Sequence, residues 1–182
     1  MAYTGGQDAV AGTTASLFAV GKQTGHLVAL NCGDSRGIVI DSNGRMKFQT
    51  TDHRPETEID RLKMGKEQGL DYSIPQCKIG RWTLEVGEYD YAVARSLEGP
   101  FATSKGLTSE ADCIQLQAEA GMTVVVASDG LWEKIDSDEA CKIVHSLKRE
   151  RTSAGDVAKA LCSRAYKKGS SDNVSVVVLY LD

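Results

Sequence analysis

Three aspartates in this chain share one setting. Asp129 follows the apolar run Thr123–Ala127, Asp34 follows Leu27–Cys32, and Asp172 stands just before Val174–Tyr180. A short unbroken apolar run reads as a strand, and the Asp, Gly, Ser and Asn residues at its end are turn formers, so each carboxylate is expected at a strand tip. For Asp129-Gly130 taken alone, a solvated turn is the ordinary reading. Three such tips alter the balance if their strands are neighbours, because carboxylates brought within about 4–6 Å repel one another unless cations neutralise them. Mg²⁺ and Mn²⁺ prefer oxygen donors and are commonly held by a few carboxylates and several waters.

The elements that must position these residues follow from periodicity and punctuation. Ala15–Val20, Leu27–Cys32 and Gly37–Asp41 read as strands, Asn43-Gly44 is a strong hairpin signal leading into Arg45–Gln49, and the four together suggest an antiparallel meander with Asp34 in one of its turns. Residues 55–69 suggest a surface helix, with Pro55 in its first turn, acidic residues after it, and Ile59 and Leu62 as its apolar stripe. From Leu70 to Leu107, glycines at 80, 87, 99 and 106 break every period, leaving short strands near Trp82–Val86 and Tyr91–Ala94. Asp136 with Glu139 forms a capping-box-like start to a helix carrying Ala140, Ile143, Val144 and Leu147. Ser153 with Asp156 opens another, with Val157, Ala160, Leu161 and Ala165 inward, and Val174–Tyr180 reads as a buried strand. The fold class expected is α+β, with antiparallel sheets and helices on their faces.

With 182 residues, 41% hydrophobic and 25% charged, the chain is long enough for one domain with a core. A net charge of −4 offers no basic footprint for nucleic acid or an anionic membrane. The five cysteines are scattered, without C-x-x-C pairs or zinc spacing, which suits reduced thiols and an intracellular, cytoplasmic or nuclear, location. His26, His53 and His145 form no metal-binding pattern, and His53 suits a turn-stabilising hydrogen bond. Arg36 suits either a phosphate contact or a neighbouring carboxylate.

The motifs Gly12-Thr-Thr-Ala15, Asn31-Cys-Gly-Asp-Ser-Arg36, Thr51-Asp-His53, Ala94-Arg-Ser-Leu97, Ala127-Ser-Asp-Gly-Leu-Trp132 and Gly169-Ser-Ser-Asp-Asn-Val174 resemble, in order and spacing, those of the protein phosphatase 2C family of metal-dependent serine/threonine phosphatases. The resemblance covers Gly12 to Tyr180. It implies a sandwich of two antiparallel β-sheets flanked by helix pairs, a loose lead-in over 1–13, a single domain over 14–182, and a flap at about 66–91. It further implies a binuclear Mg²⁺ or Mn²⁺ centre with Asp129 and Asp172 among its ligands. Asp34, Asp129 and Glu133 match positions that hold a third, weaker metal in some members, Glu133 standing where Asp is more usual. Phosphoproteins would be the substrates, hydrolysed by water activated at the metal pair.

Two departures qualify these expectations. The family's N-terminal Asp-Gly-His, whose Asp bridges the metals, and its phosphate-clamping Arg are expected to be missing, since the chain's only Asp-Gly is Asp129-Gly130. These residues alone are therefore expected to bind the metal pair poorly and to be inactive. Arg95-Ser-Leu-Glu-Gly-Pro100 also differs from the usual Arg-Ala/Ser-Leu/Phe-Gly-Asp. The alternative is a catalytically dead module that binds a phosphoprotein or signalling partner. Missing strands would leave exposed sheet edges open to association with another chain.

Overall fold

The computed structural model describes residues 11–73, 76–78 and 81–181. In chain order the elements are β1 (Gly12–Thr13), β2 (Ala15–Val20), β3 (His26–Cys32), β4 (Arg36–Ile40), β5 (Met46–Gln49), α1 (Ile59–Glu67), β6 (Gln76–Lys78), β7 (Arg81–Val86), β8 (Tyr89–Tyr91), β9 (Leu97–Glu98), α2 (Pro100–Ser104), β10 (Asp112–Gln117), β11 (Thr123–Ala127), α3 (Asp129–Trp132), α4 (Ser137–Arg149), α5 (Ala154–Lys167) and β12 (Val176–Tyr180). This is the α+β class with antiparallel sheets. The chain forms two compact units. Of the described residues, one comprises 11–15, Cys32–Asp34 and Asp52–Ala111; the other comprises Ser16–Asn31, Ser35–Thr51 and 112–181.

The second unit is layered. Its four-stranded sheet has the order β12-β11-β4-β5, and central β11 sets Val125 opposite Val178 on one side and Ile38 on the other. The Thr-Val-Val-Val-Ala sequence suits this place because β-branched side chains pack well on a pleated surface. Alternate residues point to opposite faces. On one face Ile38, Ile40, Val125 and Ala127 meet Ala140, Cys141 and Val144 of α4 and Val157, Leu161 and Ala165 of α5. Full burial of such side chains is worth about 1.5–3 kcal/mol each.

Both helices begin on side-chain caps. The Asp136 carboxylate accepts from the Glu139 amide at 2.7 Å, and Ser153 Oγ accepts from the Asp156 amide at 3.2 Å. The sheet's other face contributes Val39 and Val124 to a cluster with Leu27, Met122, Phe18, Val20 and Leu116. These residues join it to a three-stranded sheet of order β10-β3-β2.

That arrangement corrects the expected meander: β3 and β4 lie in different sheets. β3 pairs with β10 and β2, β4 with β11 and β5, and Leu27 and Val39 meet in the cluster shared by the two sheets. The expected buried strand at 174–180 is also corrected. β12 is an edge strand with Val177 64% and Leu179 42% exposed, and β2, also an edge, leaves Leu17 50% exposed.

The first unit has a smaller core of Leu62, Tyr72, Leu84, Val86, Ala94, Ala102 and Leu107. Around it lie α1, α2, the antiparallel β6-β7-β8 sheet and the two-residue β1-β9 ladder. Helix α1 starts at Ile59, four residues after Pro55, because residues 55–57 form a turn held by Thr57 Oγ1, which donates to the Asp52 and Arg54 carbonyls at 2.7 and 2.9 Å. Buried Glu58 accepts from Arg61 Nε and, at 3.0 and 2.7 Å, from both Nε and Nη2 of Arg95. Burial pushes the Glu58 carboxyl upward, but the hydrogen bonds from Arg95 and Arg61 outweigh it and hold the group below its ordinary value. Glu98 and Pro100, which depart from the family pattern, end β9 and open α2. Residues 1–10 of the lead-in and residues 74, 75, 79 and 80 of the flap lie outside the described residues.

Candidate active site

In the second unit the antiparallel pairing of β11 with β12 sets Ala127 opposite Val176, so the C-terminal tip of one strand adjoins the N-terminal tip of the other. Asp129 lies just beyond the first tip and Asp172 just before the second. Short polar residues tie the two connections together beyond the ladder. The Ser128 amide donates to the Ser175 carbonyl at 3.1 Å, Ser128 Oγ donates to the Asn173 carbonyl and accepts from the Ser175 amide, both at 3.1 Å. From the other side, Ser170 Oγ donates to the Gly130 carbonyl at 2.8 Å.

Gly130 makes this approach possible. A Cβ there would collide with the Asn173 carbonyl oxygen and stand 3.4 Å from Asp172 Cβ. The flanks of Asp129 are thus bonded to residues on either side of Asp172. The Asp172 carboxylate is exposed, its Oδ1 accepting from the Asn173 amide at 2.7 Å.

The turn expected at Asp129 is a single helical turn, α3, whose N-cap is Ser128. A carboxylate in the first turn of a helix faces unpaired amides. Glu133 is exposed, and its amide donates to the Asp129 carbonyl at 2.9 Å, the i,i+4 relation that puts both side chains on one helix face. Trp132 anchors the turn from beneath. It is 6% exposed, its indole N–H is shared between the Ala127 and Arg36 carbonyls at 3.0 and 3.1 Å, and the Arg36 guanidinium lies 5.3 Å from the ring centroid.

Asp34 belongs to the first unit. Its turn begins at Gly33, with φ of 110°, where a Cβ would run into Thr14. Asp34 is 9% exposed, Asp52 8% and His53 0%. Arg54 Nε stands 4.0 Å from the Asp34 carboxylate and 3.6 Å from that of Asp52. His53 brackets Gly33 twice: its Nδ1 accepts from the Gly33 amide at 3.1 Å, and its own amide donates to the Gly33 carbonyl at 2.9 Å.

Asp129 and Asp172 offer hard oxygen donors on two connections whose close approach a larger residue at 130 would prevent. That chemistry fits a divalent cation completing its shell with water. It is an open site: among the described residues no three His, Cys, Asp or Glu side chains converge in a way that would hold a metal by themselves. Cys141 and Cys162 make poor nucleophiles, since burial pushes the first thiol up to about 11 and the second upward as well. The hydroxyls of Ser128 and Ser170 were the positioning groups hardest to recognise. Both sit within the quoted motifs, but a serine in a turn carries no pattern that names its distant partner.

Comparison with known proteins agrees with this architecture. The family description "Protein phosphatase 2C" matches residues 2–174. Protein phosphatase 1B of Rattus norvegicus is 29% identical over 157 residues, covering 85% of this chain and 39% of that protein. The chain therefore spans about two fifths of the length of that relative. The crystal structure of serine-threonine phosphatase 2C from Toxoplasma gondii superposes with a TM-score of 0.77 at 18% identity, over 96% of this chain and 60% of the other. The catalytic domain of the serine threonine protein phosphatase PstP, solved in complex with two manganese ions, superposes with a TM-score of 0.58 at 21% identity, over 92% and 57%. With the family description matched over nearly its whole length, the chain belongs to the protein phosphatase 2C family.

Proposed function

We propose that this domain serves the metal-dependent dephosphorylation of phosphoserine and phosphothreonine in proteins, with Asp129 and Asp172 as donors to a pair of Mg²⁺ or Mn²⁺ ions. The observation that supports it most is the cross-bonding of the two aspartate-bearing connections through Ser128 and Ser170. When bound, such cations lower the pKa of water toward about 7 and offset the charge developing on phosphoryl oxygens. The chain's own residues hold the donors in place: the serines fix the two connections and Gly130, lacking a Cβ, lets them approach closely. Glu133, on the same helix face as Asp129, is proposed as a donor to a further, weaker cation, and Asp34, buried in its own turn, is proposed by itself as a cation donor.

The 182 residues contain no Asp-Gly-His, and we propose that by themselves they turn over no phosphopeptide. The test is release of phosphate from a phosphothreonine peptide with Mn²⁺, first by this chain and then by the chain joined behind a family member's Asp-Gly-His segment. Silence followed by turnover is expected. Turnover by the unextended chain overturns the inactivity, and silence of the joined protein favours a phosphoprotein-binding module instead.

Two broader proposals accompany this one. The cysteines, none of them in a disulfide among the described residues, suit an intracellular setting. The exposed apolar residues of edge strands β2 and β12 suit association with another chain, which sedimentation equilibrium would detect; a concentration-independent monomer counts against it.

A further inference from the structure

We propose that His53 is the positioning residue for Asp34: its imidazole Nδ1 fixes the Gly33 amide and thereby sets where the Asp34 carboxylate is presented to a cation. The proposal rests on reading Asp34 as a cation donor. It starts from a conflict in the backbone. Gly33 has φ of 110°, a conformation glycine enters at little cost and leaves as readily, and it immediately precedes a carboxylate that is 9% exposed. A loosely held turn would spread that carboxylate over many positions, whereas a donor of this kind needs one.

The hold comes from residue 53 on both sides of Gly33: the His53 amide donates to the Gly33 carbonyl at 2.9 Å, and the Gly33 amide donates to His53 Nδ1 at 3.1 Å. Residue 53 is itself pinned, because its carbonyl accepts from the Ala94 amide at 2.8 Å, and the ring is wholly buried. An imidazole nitrogen that accepts a hydrogen bond carries no proton, so this bond selects the tautomer protonated at Nε2. Arg54 adds direction. Its Nε faces Asp34 and Asp52 at 4.0 and 3.6 Å, just beyond hydrogen-bond length, and draws both carboxylates by charge.

A role that depends on Nδ1 differs from ordinary core packing, and two amide side chains separate them. Asn places its carbonyl oxygen where Nδ1 sits; Gln places its own nearer to Nε2. The test uses the full ¹⁵N-labelled chain titrated with Mn²⁺, following paramagnetic broadening of the Gly33 and Asp34 amide signals, which reports weak binding without any catalytic turnover. Wild type and His53→Asn are expected to broaden at similar Mn²⁺ concentrations, and His53→Gln to need about tenfold more, the usual scale for losing a group that orients a metal ligand. Asp34→Asn should remove the effect.

If His53→Gln broadens at the wild-type concentration while Asp34→Asn does not, the positioning role is overturned and the reading of Asp34 stands. If Asp34→Asn broadens as wild type does, or wild type does not broaden, both fall. Should His53→Gln fail to fold, the scalar coupling between Gly33 ¹⁵N and His53 ¹⁵Nδ1 in wild type decides, its absence overturning the proposal.

Discussion

The two units hold their carboxylates by different means. In the second unit, Asp129 and Asp172 hang from the ends of two hydrogen-bonded strands, of which β11 is packed on both faces, and only the last few residues need serine hydroxyls to complete the fastening. Asp34 lies in the three-residue turn between β3 and β4, each paired within its own sheet, and within the first unit that turn is clamped by a side chain. Its turn, and the connection running through Glu58, Arg61 and Arg95, depend on side chains bonding to backbone and to one another. A ladder spreads its strength over many equivalent bonds, so losing one costs little. A clamp built from single side chains concentrates it, and one substitution can release the segment. This contrast predicts where each unit is vulnerable.

The largest effect should come from the second unit's core. Leu161 of α5 is fully buried against the four-stranded sheet, and Leu161→Ala should cost about 3 kcal/mol, the middle of the range for such truncations. Because the sheet and helices are one cooperative layer, amide exchange should accelerate together across β4, β11, α4, α5 and β12. Acceleration confined to α5 would show that the layers do not unfold as a unit. Leu84→Ala, in the first unit's core, should loosen β6–β8 and α2 while leaving exchange in β11 unchanged.

Next in size is the clamp at Glu58. Glu58→Gln strips the charge from a buried group facing two arginines but keeps an acceptor oxygen for them, so its cost should be about 2 kcal/mol, below the roughly 3–5 kcal/mol typical of removing one partner of a buried ion pair. The sign of its pH dependence follows from the depressed carboxyl. The stabilisation is fully present above the unfolded value of about 4.5 and disappears as pH falls through the lower folded value. Wild type should therefore lose stability on acidification below about 4.5 more steeply than Glu58→Gln. Parallel acid profiles for the two, measured by urea melts between neutral pH and about 3, would show that the pair contributes nothing.

Ser170→Ala comes third. It removes the donor to a buried carbonyl of Gly130, leaving that oxygen unpaired at a cost of about 1–3 kcal/mol. If the fastening of the two aspartate connections is what presents their carboxylates, Mn²⁺-induced broadening at Asp129 and Asp172 should weaken by more than the stability loss alone would produce. Unaltered broadening would confine Ser170 to a structural role.

The same contrast explains what could be read from the chain beforehand. Val124–Ala127 and the helix stripes through Val144 and Leu161 were legible because burial on a regular element imposes a period. The capping pairs Asp136–Glu139 and Ser153–Asp156 were legible because a cap is local. Strand β10, Asp-Cys-Ile-Gln-Leu-Gln, was not recognised: as an outer strand it buries only partly, and Cys113 and Ile114 are both exposed. Helix α2 hid behind Gly99-Pro100, where Pro marks a first helical turn as readily as a break. The placement of β3 and β4 in separate sheets could not be inferred from their near adjacency in sequence, because a three-residue turn serves a hairpin and a crossing between sheets equally well. For His53 a turn-stabilising hydrogen bond was legible but not its partner Gly33, 20 residues away, and the Glu58 clamp was not legible at all, since Arg95 lies 37 residues away and no period connects them.

The smallest predicted effect isolates what a local feature is worth within the cooperative unit. Ser153 caps α5 by accepting from the Asp156 amide, while its hydroxyl donates to the Asp156 carboxylate at 2.8 Å. Ser153→Ala should cost about 1 kcal/mol, and Ser153→Asp, which restores an acceptor but sets a second negative charge beside Asp156, should recover only part of it. The helix is held chiefly by Val157, Leu161 and Ala165, so its helical content should stay as it is in both variants and only the unfolding midpoint should move. If Ser153→Ala instead frays the first turn, seen as rapid exchange at the amides of residues 156–158 without a shift in midpoint, the cap acts locally and the second unit is less cooperative than its two packed layers imply.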